Sequence, residues 1–116
     1  MKIIDLLTQD RPTLSFEVFP PKTSDTYDSV AKATQEIAAL RPDFMSVTYG
    51  AGGGTSDYTV NIAAGISQTY GVDVLAHLTC VSSTREHVAK VLDQLKEKGI
   101  QNVLALRGDI PEGGAP

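Results

Sequence analysis

Cysteine occurs once in these 116 residues, at Cys80, which excludes an intrachain disulfide framework and any multi-cysteine metal site. Basic residues are the minority: ten Lys and Arg face fourteen Asp and Glu, for a net charge of −4. That balance argues against a nucleic-acid surface, which carries a basic patch. No apolar run approaches the about 20 residues a membrane helix needs. The apolar part of the N-terminus is short and is interrupted at Asp5, unlike a secretory signal. With 41% hydrophobic and 21% charged residues, the composition is that of an ordinary globular domain. The expectation is a soluble cytoplasmic protein of one domain, with no nucleic-acid or membrane partner.

Four short runs rich in β-branched or aromatic residues recur about 30 residues apart, the length of one βα unit. They are residues 14–19, 44–49, 72–78 and 102–106. Helical patterns lie between them. Residues 24–40 set Tyr27, Val30, Ala33, Ile37 and Leu40 on one stripe; residues 58–70 do the same with Thr59, Ile62, Ala63, Ile66 and Tyr70. Residues 84–98 put Val88, Val91, Leu92 and Leu95 on the inner face, behind a capping box of Ser83 and Glu86. Gly71 and Gly99 fall where helix ends favour a left-handed residue, and Arg41-Pro42 stops the first long helix. A short helix over residues 3–7 precedes the series.

Strict alternation of this kind means an α/β fold with parallel strands and right-handed crossovers. A doubly wound open sheet fits the length. So does the first half, βαβαβαβ, of a (β/α)8 TIM barrel, which needs roughly 250 residues in full. Two features favour the half barrel. No helical pattern follows the fourth strand, and Glu17, Ser46, Thr48 and His77 occupy positions able to point inward, which suits a barrel mouth. Residues 1–116 are thus expected to be the N-terminal portion of a single barrel domain. Its inner face is expected to be apolar and to drive self-association into a homo-oligomer.

Catalytic groups of parallel α/β folds gather at the C-terminal ends of the strands. Glu17 stands between Phe16, Val18 and Phe19, where desolvation would make it a general acid; an edge position facing water is the alternative. The run Gly50-Ala51-Gly52-Gly53-Gly54-Thr55 is neither a Walker loop nor a dinucleotide fingerprint. It is either a flexible loop or a place of close backbone approach. His77 is a core histidine or a ligand contact. Arg107 and Asp109 leave the fourth strand together, in an Arg-Gly-Asp order unlike an exposed adhesion loop.

In combination these segments carry a resemblance. Ser15-Phe16-Glu17-Val18-Phe19-Pro20-Pro21-Lys22, Ser46-Val47-Thr48-Tyr49-Gly50-Ala51-Gly52-Gly53, Ala76-His77-Leu78-Thr79-Cys80 and Asn102-Val103-Leu104-Ala105-Leu106-Arg107-Gly108-Asp109 occur in order and at fitting spacings. Together they resemble the motifs of the methylenetetrahydrofolate reductase family. The resemblance implies a barrel with FAD at its C-terminal mouth, where NAD(P)H and methylenetetrahydrofolate use one face in turn. Carried over by position, Glu17 would protonate the folate nitrogen and open the five-membered ring. Thr48 and His77 would contact the flavin, and Leu106, Arg107 and Gly108 would follow the cofactor. Asp109 would sit between flavin and pterin. The alternatives are a non-catalytic half barrel that self-associates or pairs with a separate C-terminal half, and a small flavodoxin-like binding module.

Overall fold

The computed structural model describes residues 1–21, 24–49, 56–81 and 83–108, with the backbone alone at 24, 56 and 57. Helix α1 (Ile3–Leu7) leads into β1 (Ser15–Val18). A 3-10 turn (Ser24–Thr26) runs into α2 (Tyr27–Ala38), followed by β2 (Phe44–Val47), α3 (Ser56–Tyr70), β3 (Asp73–Thr79), α4 (Arg85–Glu97) and β4 (Asn102–Leu106). The four strands are parallel and hydrogen-bond in sequence order, β1-β2-β3-β4. A doubly wound sheet must reverse its strand order to place helices on both faces. Here every right-handed crossover steps the same way, so α2, α3 and α4 line up on one face. This is the wall of a barrel.

Register rows decide which side chains meet. Phe16, Met45 and Val74 share one row, and Val18, Val47 and Ala76 another, both turned toward the helices. The core lies between sheet and helices, with Met45, Val47, Val91 and Leu95 at most 2% exposed. Each side chain of this size contributes about 1.5–3 kcal/mol on burial. The opposite face carries Glu17, Ser46, Leu75 and Asn102 in one row, with Thr48, His77 and Leu104 above it.

That open face corrects one expectation. It is not an apolar surface. Glu17, Ser46, Thr48, His77 and Thr79 make its upper part polar, as the mouth of a ligand-holding barrel would be. On this face β4 exposes Leu104 and Leu106, at 38% and 40%, while Val103, 37% exposed, lies on the helix side in register with Ala76. Among the described residues no helix covers this strand.

Helix details depart from the stripes in small ways. In α2, Thr34 and Ala38 are buried, while Ala33 and Leu40 face water. The helix ends at Ala38, so Leu40 lies in the turn beyond it, and Arg41 takes the left-handed conformation at φ 56°. Gly71 and Gly99 hold φ 66° and 76°, as their positions lead one to expect. Leu92 of α4 is 42% exposed rather than packed inward. The capping box is replaced by a simpler cap one residue later: Thr84 Oγ1 accepts from His87 N at 3.1 Å, and the hydroxyl of Ser83 is buried without a partner among the described residues. Two adjacent hydroxyls compete for the position, and Thr84 has the extended backbone a cap requires.

At the opposite end of the wall, Asp43 ties β1 to β2. Its Oδ1 lies 2.5 Å from Arg11 Nη2 and its Oδ2 accepts from Leu14 N at 2.8 Å. The Arg11 bond first, then the Leu14 amide, holds the Asp43 carboxyl below its ordinary value of 3.8. A depressed folded-state value means that the clamp is fully present above 3.8 and is lost as pH falls through the folded value. Asp43→Asn should therefore lower the urea midpoint at neutral pH, and the gap to wild type should close in acid. An equal gap at all pH values would show that shape rather than charge matters there.

Candidate functional site

The strand ends converge on one open cleft of about 460 Å³, lined by Thr48, Tyr49, His77, Thr79, Leu106, Arg107 and Gly108. It lies where βα loops leave the sheet, the catalytic end of parallel barrels. A smaller cavity of about 80 Å³ between α2 and α3 includes Tyr27, Asn61 and Gly65, on the outside of the wall and away from the strand ends.

Each wall of the cleft is fixed by backbone or buried side-chain bonds. Thr48 N donates to Val18 O at 3.0 Å, and its carbonyl accepts from Thr59 Oγ1 of α3 at 2.9 Å. Tyr49 turns its phenol to His87 Nε2 of α4, 3.2 Å away. Beyond the last paired strand residues, Val81 N donates to Arg107 O at 2.8 Å, and Cys80 N to Leu106 O at 3.0 Å, so the β3 and β4 exits stay in register. Gly108 then presses onto β3. At φ 89°, a Cβ built on it would lie 2.8 Å from Thr79 Cβ and 2.9 Å from Val81 Cγ1. Only glycine fits.

The structure brings Thr48, His77, Leu106, Arg107 and Gly108 together and sets Glu17 beside them. Glu17 Oε1 is 3.6 Å from His77 Nε2. The apolar enclosure expected around Glu17 is absent: its side chain is 48% exposed, and Phe19 at the mouth is 66% exposed. The reason is strand alternation. Phe16 and Val18 point to the other face, so neighbours in sequence are not neighbours in space. The glycine-rich run 50–55 and Asp109 lie outside the described residues.

Two lining residues went unassigned in the sequence. Thr79 is 6% exposed, and its hydroxyl is buried without a partner among the described residues. Its signal was parity: it stands two residues past His77 on the same face. Tyr49 lines the cleft only because β2 ends at Val47 and alternation lapses. Among the described residues no cluster of three His, Cys, Asp or Glu could hold a metal ion, and no helix is long and apolar enough to cross a membrane.

A singly wound parallel wall with a polar cleft at its strand C-termini defines half of a TIM-type barrel with its ligand-binding end. The sequence model described as methylenetetrahydrofolate reductase matches residues 2–116. The chain belongs to the methylenetetrahydrofolate reductase family. It is 41% identical over 109 residues to the 5,10-methylenetetrahydrofolate reductase of Pectobacterium carotovorum, covering 93% of this chain and 37% of that protein. To the corresponding Escherichia coli reductase it is 37% identical over 105 residues, covering 90% of this chain and 36% of the relative. To methylenetetrahydrofolate reductase (NADH) 1 of Arabidopsis thaliana it is 38% identical over 117 residues, covering 97% and 20%. The chain thus spans about a third of its bacterial relatives' length and a fifth of the plant one's.

Proposed function

We propose that this chain supplies the first four βα units of a barrel that reduces 5,10-methylenetetrahydrofolate to 5-methyltetrahydrofolate, with FAD as cofactor and NAD(P)H as electron source. The observation that carries this reading is the single cleft joining Thr48, His77, Leu106, Arg107 and Gly108, with Glu17 at its edge. The donor set suits a flavin. Imidazole, hydroxyl and guanidinium groups offer bonds to a heteroaromatic edge, Leu106 offers an apolar surface, and the buried Thr79 hydroxyl lacks a partner among the described residues. When bound, FAD would carry hydride from the nicotinamide to the folate. Thr48 and His77 would hold its ring, and Leu106, Arg107 and Gly108 would border it along the β4 exit. Asp109, next in sequence, would lie between ring and pterin.

Glu17 has the remaining task. Opening the imidazolidine ring requires a proton on the leaving nitrogen, and among the described residues Glu17 is the carboxyl group on the open face beside the cleft. Its exposure leaves room for a substrate to reach it and be desolvated with it.

A second reading, a half barrel that pairs with a second copy, is favoured by the exposed apolar residues of β4. Sedimentation followed at the protein's ultraviolet and the flavin's visible absorbance tests both readings. A polypeptide carrying this segment at the length of its bacterial relatives should sediment with flavin and, without oxygen, oxidise more than one equivalent of NAD(P)H only when methylenetetrahydrofolate is supplied. The 116-residue chain alone should sediment as a dimer or larger species with little flavin. A colourless, inactive family-length protein would sink the reductase reading, and a compact monomer of the short chain would sink the second.

A further inference from the structure

We infer that His77 is a positioning residue that holds the Glu17 carboxyl and supplies it with the proton it delivers. The inference rests on the proposed acid role of Glu17 and concerns where that proton comes from. Glu17 and His77 belong to β1 and β3, two strands apart, yet their side chains approach to 3.6 Å. They can do so because β2 presents small residues beneath them: Ser46 pairs with Glu17 in register, and Thr48 follows two residues on. At 3.6 Å the contact is an ion-pair distance, and a small rotation of the exposed carboxylate closes it to a hydrogen bond.

The need for a source follows from turnover. Each turnover takes the proton from Glu17 and it must be replaced before the next, and no apolar pocket surrounds this carboxyl. Imidazole is the side chain that exchanges protons near neutrality. His77 is well placed, with its side chain only 13% exposed and its Nε2 turned to Glu17. Among the described residues, the other ionisable groups lining the cleft are Tyr49, whose phenol is engaged by His87, and Arg107, whose Nε donates to Gly108 O at 3.3 Å. Asp109 lies outside the described residues.

The step balances simply. The O–H bond of protonated Glu17 breaks as a proton moves to the folate nitrogen, and the carbon–nitrogen bond of the ring opens. The resulting carboxylate takes the Nε2 proton of the His77 imidazolium. Neutral His77 then regains a proton from water.

The chain holds two histidines, so nitrogen-15 NMR of the ring resonances gives a built-in control. In the 116-residue chain at neutral pH, Glu17→Gln should shift the His77 Nε2 resonance several-fold more than any resonance of His87. An unmoved His77 signal overturns the inference. In the family-length holoenzyme, His77→Ala should slow folate-dependent flavin reoxidation, and added imidazole, a diffusible proton carrier, should restore part of the rate. A loss that imidazole leaves unchanged would assign His77 to the flavin alone and overturn the proton-supply role. Glu17→Gln with folate reduction intact would instead defeat the acid role of Glu17 itself, whatever His77 shows.

Discussion

Glu17→Gln should cut folate reduction by about 10²–10⁴-fold, the usual worth of a positioned general acid, while NAD(P)H-driven flavin reduction proceeds near the wild-type rate. The amide keeps the size of the carboxyl and loses its transferable proton. Its position supports the split. Glu17 stands on β1, whereas the residues proposed to border the flavin come from β2, β3 and β4. Hydride transfer into the flavin requires no proton from this carboxyl. Stopped-flow absorbance separates the two half-reactions in one preparation. If both fall together, Glu17 serves the cofactor or the fold, and the acid role is wrong. If only the folate half falls, the loss belongs to the proton.

The placement of Glu17 also shows where sequence reading stops. The βα repeat was legible because apolar periodicity switches between two and three-to-four residues at intervals of about 30, and each switch became an element. The choice of barrel over open sheet was legible too, through the parity of Glu17, Ser46, Thr48 and His77. All four do lie on the face opposite the helices. The environment of Glu17 was not. Phe16 and Val18 adjoin it along the strand and point away from it, while its partner His77 is sixty positions distant and comes within reach only through register. Register is a property of the assembled sheet, and no local pattern encodes it.

The same limit applies at the cap of α4 and at the cleft. Ser83 and Thr84 both satisfy the composition of an N-cap, and the backbone conformation chosen by the preceding loop selects Thr84. Thr79 sits in the same motif as its neighbour His77, yet its buried hydroxyl, without a partner among the described residues, appears only once the β4 exit packs on β3. Polar residues without local partners are what a sequence conceals most easily. Their partners are supplied by elements far away or by a ligand.

Gly108→Ala should be the most damaging small substitution in the described chain. Two costs combine. An L residue at φ 89° loses about 1–2 kcal/mol to the clash of its Cβ with its own backbone. The new methyl would also stand 2.8 Å from Thr79 Cβ and 2.9 Å from Val81 Cγ1, an overpacking that costs about 1–3 kcal/mol. The total of about 2–5 kcal/mol is a large part of the stability of any small domain. The damage also falls on the cleft, because separating β4 from β3 strains the Val81–Arg107 and Cys80–Leu106 bonds that align its walls. Gly108→Ala is therefore expected to lower both the denaturation midpoint and the flavin content of the family-length protein. Val81→Ala in the same chain should recover part of the loss by removing the Cγ1 contact. The Thr79 Cβ contact and the backbone term remain, so recovery stays incomplete. A Gly108→Ala protein within about 0.5 kcal/mol of wild type, with its flavin retained, would show that the β4 exit does not press on β3.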